Sequence, residues 1–110
     1  KQLKDGDDFV VKWDADDLKL FIWDANEEDG DRIQLKINEK IILYDYFTKR
    51  KRKKIKYKLQ EGENTIEITA LNLGSSPPNT SRIELVDSKI KYPIISQLEI
   101  GKTAIIKVIK

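Results

Sequence analysis

Between Asp24 and Asp31 the chain places five carboxylates in eight residues: Asp24, Glu27, Glu28, Asp29 and Asp31. A crowd of oxygens suits a hard cation, since calcium takes about six to eight oxygen ligands from carboxylates, carbonyls and water. Asn26 could add an amide oxygen, and Gly30 would allow the backbone a sharp bend. Asp14, Asp16 and Asp17 could join if the N-terminal segment folds alongside. There is no histidine and no cysteine. Any metal is therefore held by oxygen, which points to calcium or magnesium; Ca2+ is the candidate cofactor, and otherwise there is none. The spacing is not that of the EF-hand loop. Alternatively the same residues form a solvated turn in which Asp side chains accept nearby backbone N–H groups.

A second cluster carries the opposite charge. Lys49, Arg50, Lys51, Arg52, Lys53 and Lys54 are consecutive bases. They could hold a polyanion with an affinity that falls as salt rises. No aromatic residue is interleaved with them, and no DNA- or RNA-binding signature accompanies them. Nucleic acid is therefore not the expected partner; anionic glycans or envelope lipids are candidates if the run binds anything. The plainer alternative is a solvated hairpin whose lysines blunt an edge strand. A third set is aromatic. Trp23, Tyr44 and Tyr46, with Trp13 and Phe47 beside them, could form a platform for stacking a sugar ring. Core packing is the commoner fate of such side chains.

The totals limit these options. One hundred and ten residues make one domain, spanning 1–110, with enough chain for its own core. Charged residues are 36% of the chain, yet the net charge is only +2. Residues 1–31 hold eleven acids and four bases, and residues 32–60 hold two acids and eleven bases. These blocks could neutralise each other within one fold or face separate partners. Without histidine or cysteine, and with no pair of carboxylates singled out, the chain is not expected to be an enzyme. It lacks an apolar run long enough to span a membrane as a helix. It also lacks methionine, so it is expected to be a processed protein or a domain cut from a longer one.

The elements that must position these groups read as strands, because apolar residues recur with a period of two. Leu18, Leu20 and Ile22 alternate with Lys19, Phe21 and Trp23, as in a strand covered on both faces. Ile33, Leu35 and Ile37 alternate with polar partners. So do Ile55, Tyr57 and Leu59, then Ile66, Ile68 and Ala70, then Ile83 and Leu85, then Ala104, Ile106 and Val108. Ile41 to Phe47 is an apolar run, Phe9 to Trp13 opens the sheet, and Lys89 to Ile94 adds an edge strand on which Pro93 is tolerable. Turn signals fall at Asn38-Glu39, Glu61-Gly62, 73–80 and Asp87-Ser88. Eight or nine strands at this spacing predict an all-β, Ig-like or jelly-roll-type antiparallel β-sandwich.

Asp29-Gly30-Asp31, Leu35, Asn38, Gly62-Glu63-Asn64, Ala70-Leu71-Asn72-Leu73-Gly74 and Pro77-Pro78-Asn79-Thr80 occur in that order. Over positions 20–109 this resembles a β-sandwich accessory module of exported and cell-envelope proteins from Bacteroidetes-type bacteria. Glu39 and Ser88 depart from it, standing where glycine would suit the turns. The resemblance implies a secreted, periplasmic or cell-surface setting and no defined activity. The expected function is accordingly a non-catalytic accessory module serving structure or adhesion, calcium-stabilised through the acidic loop, with neighbouring domains of its parent protein or a glycan as partners. A calcium-dependent carbohydrate-binding module is the alternative, and binding of a polyanion or nucleic acid by residues 49–54 is the third. Asn79-Thr80-Ser81 matches a glycosylation acceptor and is read as loop chemistry.

Overall fold

The computed structural model describes residues 1–24, 30–73 and 77–110. Ten strands and no helix make up these residues. They are β1 (Gln2–Leu3), β2 (Asp8–Lys12), β3 (Asp17–Trp23), β4 (Arg32–Ile37), β5 (Lys40–Phe47), β6 (Lys53–Lys58), β7 (Glu63–Ala70), β8 (Asn79–Asp87), β9 (Ile90–Leu98) and β10 (Thr103–Ile109). They form two five-stranded sheets, a first with the order β1-β9-β8-β3-β6 and a second with the order β2-β10-β7-β4-β5. The expected all-β sandwich is present, with nine strands close to the predicted positions. The tenth, β1, has only two residues and therefore no periodicity to read. The sheets are mixed and not purely antiparallel, because β1 runs parallel to β9 and β2 parallel to β10.

The alternation seen in the sequence sorts side chains between the core and the outside. Leu18, Leu20, Ile22, Ile83, Leu85 and Ile94 of the first sheet are at most 1% exposed. They face Ile33, Leu35, Ile37, Ile66, Ile68 and Ile106 of the second, all fully buried. Trp13 is also buried, with its ring centroid 6.0 Å from that of Tyr92 and its indole N–H donating to the Asp17 carbonyl. It is a core residue and cannot belong to a sugar platform.

Among the described residues only β4–β5 and β8–β9 are hairpins; the other seven pairs of consecutive strands lie in different sheets. The basic run is therefore not the tip of a hairpin, because β5 and β6 lie in different sheets. The β4–β5 turn has φ of 49° at Asn38 and 67° at Glu39. This is the left-handed geometry that favours glycine at the second position, so the departure at Glu39 carries strain. Pro93 lies inside β9, opposite Glu84 of β8. β1 pairs with β9 only at Ile95 and Ser96, so Pro93 occupies a stretch of edge where its missing N–H costs no ladder bond.

Candidate functional site

The outward side of the first sheet assembles residues that are far apart in sequence. On β3, Lys19, Phe21 and Trp23 point away from the core, since Leu18, Leu20 and Ile22 are buried. Phe21 and Trp23 are only half-buried, so β3 is covered fully on one face and partly on the other. Its neighbour β6 sends Lys54, Lys56 and Lys58 outward, because Ile55 faces in. Register places Lys54 opposite Phe21 and Lys56 opposite Lys19. On the other side of β3, Arg82 faces Trp23 and Glu84 faces Phe21. β9 then adds Ile95 beside Arg82, Pro93 beside Glu84 and Lys91 beside Val86.

This outer face holds Lys19, Arg52, Lys54, Lys56, Lys58, Arg82 and Lys91. Glu84 and Asp17 are the acids set against them among the described residues. Both acids are engaged: Arg52 Nη1 lies 3.3 Å from Glu84 Oε1, and Lys56 Nζ lies 3.4 Å from Asp17 Oδ2. The Arg52 guanidinium also lies over the Trp23 ring, 4.0 Å from its centroid. Pinned by a carboxylate and an indole, Arg52 loses less side-chain entropy on binding than a free arginine would. The outward side of the second sheet is balanced by contrast. There Lys12, Arg32, Lys36 and Lys107 accompany Asp8, Glu63 and Glu67, and Arg32 pairs with Asp45 at 3.0 Å.

The six bases picked out by sequence divide. Arg52 and Lys54 join the face; Lys49, Arg50 and Lys51 lie in the segment before β6; Lys53 starts β6 with the parity of Ile55, opposite Ile22. Lys19, Lys56, Lys58, Arg82 and Lys91 escaped the run-based reading because four separate strands supply them. Their signal was the polar half of each alternation. The fold thus interleaves aromatics with bases across strands, which the linear order does not do.

The aromatic trio does not come together. Trp23 is on the first sheet, whereas Tyr44 and Tyr46 are on β5, the outermost strand of the second. Tyr44 is 70% exposed, and Tyr46 packs against the core.

Among the expected cation ligands, Glu27, Glu28 and Asp29, with Asn26, lie outside the described residues. Asp24 and Asp31 are both buried. The Asp24 N–H donates to the Lys49 carbonyl at 2.8 Å, and Asp31 Oδ2 accepts from the Thr80 N–H at 3.0 Å. Among the described residues, no group of three or more carboxylates converges on one point. Asp14, Asp16 and Asp17 lie at the other end of β3 from Asp24, about 20 Å away at the strand rise. Asp16 instead pairs with Lys110 at 3.0 Å. Its hydrogen bond, helped by nearby Glu61, holds the Lys110 ammonium above the ordinary lysine range.

Asp31 belongs to a polar lock that closes one end of the sandwich. Asn72 Nδ2 donates to the Gly30 carbonyl, and Asn72 Oδ1 accepts from the Arg32 N–H. Asn79 Nδ2 donates to the carbonyls of Arg32 and Asn72. Asn79 is fully buried, which rules out its serving as a glycan acceptor in the folded chain. No protein-family model, curated protein or solved structure matches the chain.

Proposed function

We propose that this chain is a non-catalytic accessory module of an exported or envelope protein, and that the outer face of its first sheet is its working surface, holding an anionic polymer. One observation carries this reading: the two sheets differ sharply in outward charge, seven bases to two acids on the first and near balance on the second. A face of one sign concentrates counter-ions and steers an oppositely charged partner. Trp23, Phe21 and Ile95 give the same face apolar surface, so contact there need not rest on charge alone. The secreted or cell-surface setting follows from the resemblance of the turn motifs.

Retention on an immobilised sulfated polysaccharide, eluted by salt, tests this directly. Lys54→Glu with Lys56→Glu reverses two charges on the face and should bring elution to much lower salt. Lys12→Glu with Lys36→Glu makes the same charge change on the second sheet and should shift it far less. Equal shifts from the two pairs would mean that net charge alone governs binding and that the face is not a site.

A further inference from the structure

Resting on that reading, we infer that the polymer is a carboxylated polysaccharide and that a cleft beside Trp23 receives one uronate ring. The cleft has a volume of about 170 Å³, and Trp23, Arg52, Arg82, Glu84, Pro93 and Ile95 contribute to its walls. Its size suits a single pyranose ring. Pro93 and Ile95 stand on β9 as an apolar wall for the C–H side of that ring. Arg82 lies between Trp23 and Ile95 in register, exposed, and with no acidic partner among the described residues. Its planar guanidinium matches a carboxylate through two parallel N–H donors, which a lysine at this place could not do.

Two further features favour a sugar acid over a nucleic acid. Binding of single strands relies on bases stacking upon open aromatic rings. Here one face of the Trp23 ring is already covered by the Arg52 guanidinium. Glu84, with its side chain 16% exposed, also places a carboxylate within the cationic cleft. One of its oxygens faces Arg52, and a carboxylate oxygen can accept further hydrogen bonds. Sugar hydroxyls donate to such an acceptor, whereas a phosphodiester backbone has no proton to give and is repelled. Glu84 therefore acts as a specificity residue, and Arg82 as the carboxylate anchor.

The test is titration of the intact chain, by calorimetry and by tryptophan emission, with four probes. These are an oligogalacturonate, its methyl ester, inorganic polyphosphate and an oligothymidylate matched in charge. The oligogalacturonate should bind most tightly and shift the emission of Trp23, while buried Trp13 stays silent. Esterification removes the carboxylate charge and should weaken binding about tenfold or more, as expected for a charge-assisted hydrogen bond. Arg82→Gln should cost about the same factor. Glu84→Gln should weaken the sugar acid yet strengthen polyphosphate and oligothymidylate. Both substitutions lie on the outer face and leave the core intact. If oligothymidylate or polyphosphate binds as well as the sugar acid, or if Arg82→Gln changes nothing, the uronate site is wrong while the polyanion face stands. If none of the charged probes binds, both readings fail.

Discussion

Single polar side chains, most of them buried, do much of the work of closing this molecule. Asn38 Oδ1 accepts from the Thr65 N–H, and its Nδ2 donates to Asn64 Oδ1. Asn64 Oδ1 in turn accepts from the Gln60 N–H, and its Nδ2 donates to the Gln60 and Val108 carbonyls. Asp87 accepts the N–H groups of Asp14 and Ala15, one on each oxygen. Each such residue replaces hydrogen bonds that an irregular backbone cannot make to itself. Asn79→Ala takes the side-chain donor from the Asn72 carbonyl and leaves the Arg32 carbonyl with the Leu71 N–H alone, and Asp31→Ala strands the Thr80 N–H. Each should cost about 1–3 kcal/mol in chemical denaturation. Run with calcium and again with chelator, the loss from Asp31→Ala should be the same, since the bond it removes is internal to the protein. A loss confined to calcium-containing buffer would instead give Asp31 to a cation. These positions stood out in the sequence as small motifs, but their work did not: an asparagine joined to a carbonyl 47 residues away has no local signature.

Among the elements, strands were legible wherever one face is buried, because burial forces the alternation. β4, β7 and β10 alternate without a break and lie in the interior of the second sheet. β5 read only as an apolar run, and the structure gives the reason. Its pairing with β4 slips twice, around Ile42 and again before Tyr46, and Asp45 adopts φ of 52°. Each extra residue reverses the parity, so Ile41, Tyr44 and Phe47 are all left exposed. The same bulges twist this edge away from flat strand addition, while β6 guards the opposite sheet's edge with lysines. The hairpin between β4 and β5 carries avoidable strain at Glu39. Glu39→Gly should raise stability by about 0.5–1 kcal/mol, the left-handed penalty less the entropy of glycine. Thermal unfolding reads this as a higher midpoint. An unchanged or lower midpoint would show that the Glu39 side chain offsets its own strain.

For the molecule as a whole, the charge asymmetry of the sequence becomes a division of labour. Many of the acids sit in loops and at strand ends, where Asp5 and Asp7 accept backbone N–H groups and Asp16 meets Lys110. The excess of bases over acids collects on the first sheet. The acidic and basic blocks do meet within one chain, since β3 from the first pairs with β6 from the second. Composition could show the asymmetry but could not show which strands become neighbours, so the face around Trp23 was invisible to a linear reading. The parallel strands were hidden for the same reason. β2 lies along β10 over five paired positions, from Asp8 with Ile105 to Lys12 with Ile109, and the two run in the same direction. A tether pulling on the two ends of the chain drags these strands past each other along their length. Their hydrogen bonds are then loaded together and cannot open one at a time like a zipper. The module should therefore resist tension well. Single-molecule stretching from the two ends should need a markedly larger force than stretching from Lys89 and Lys110, a pair chosen to leave β2 and β10 unsheared. Were the cationic face to hold a polymer as proposed, such a joint would keep that face intact while the polymer hauls on it.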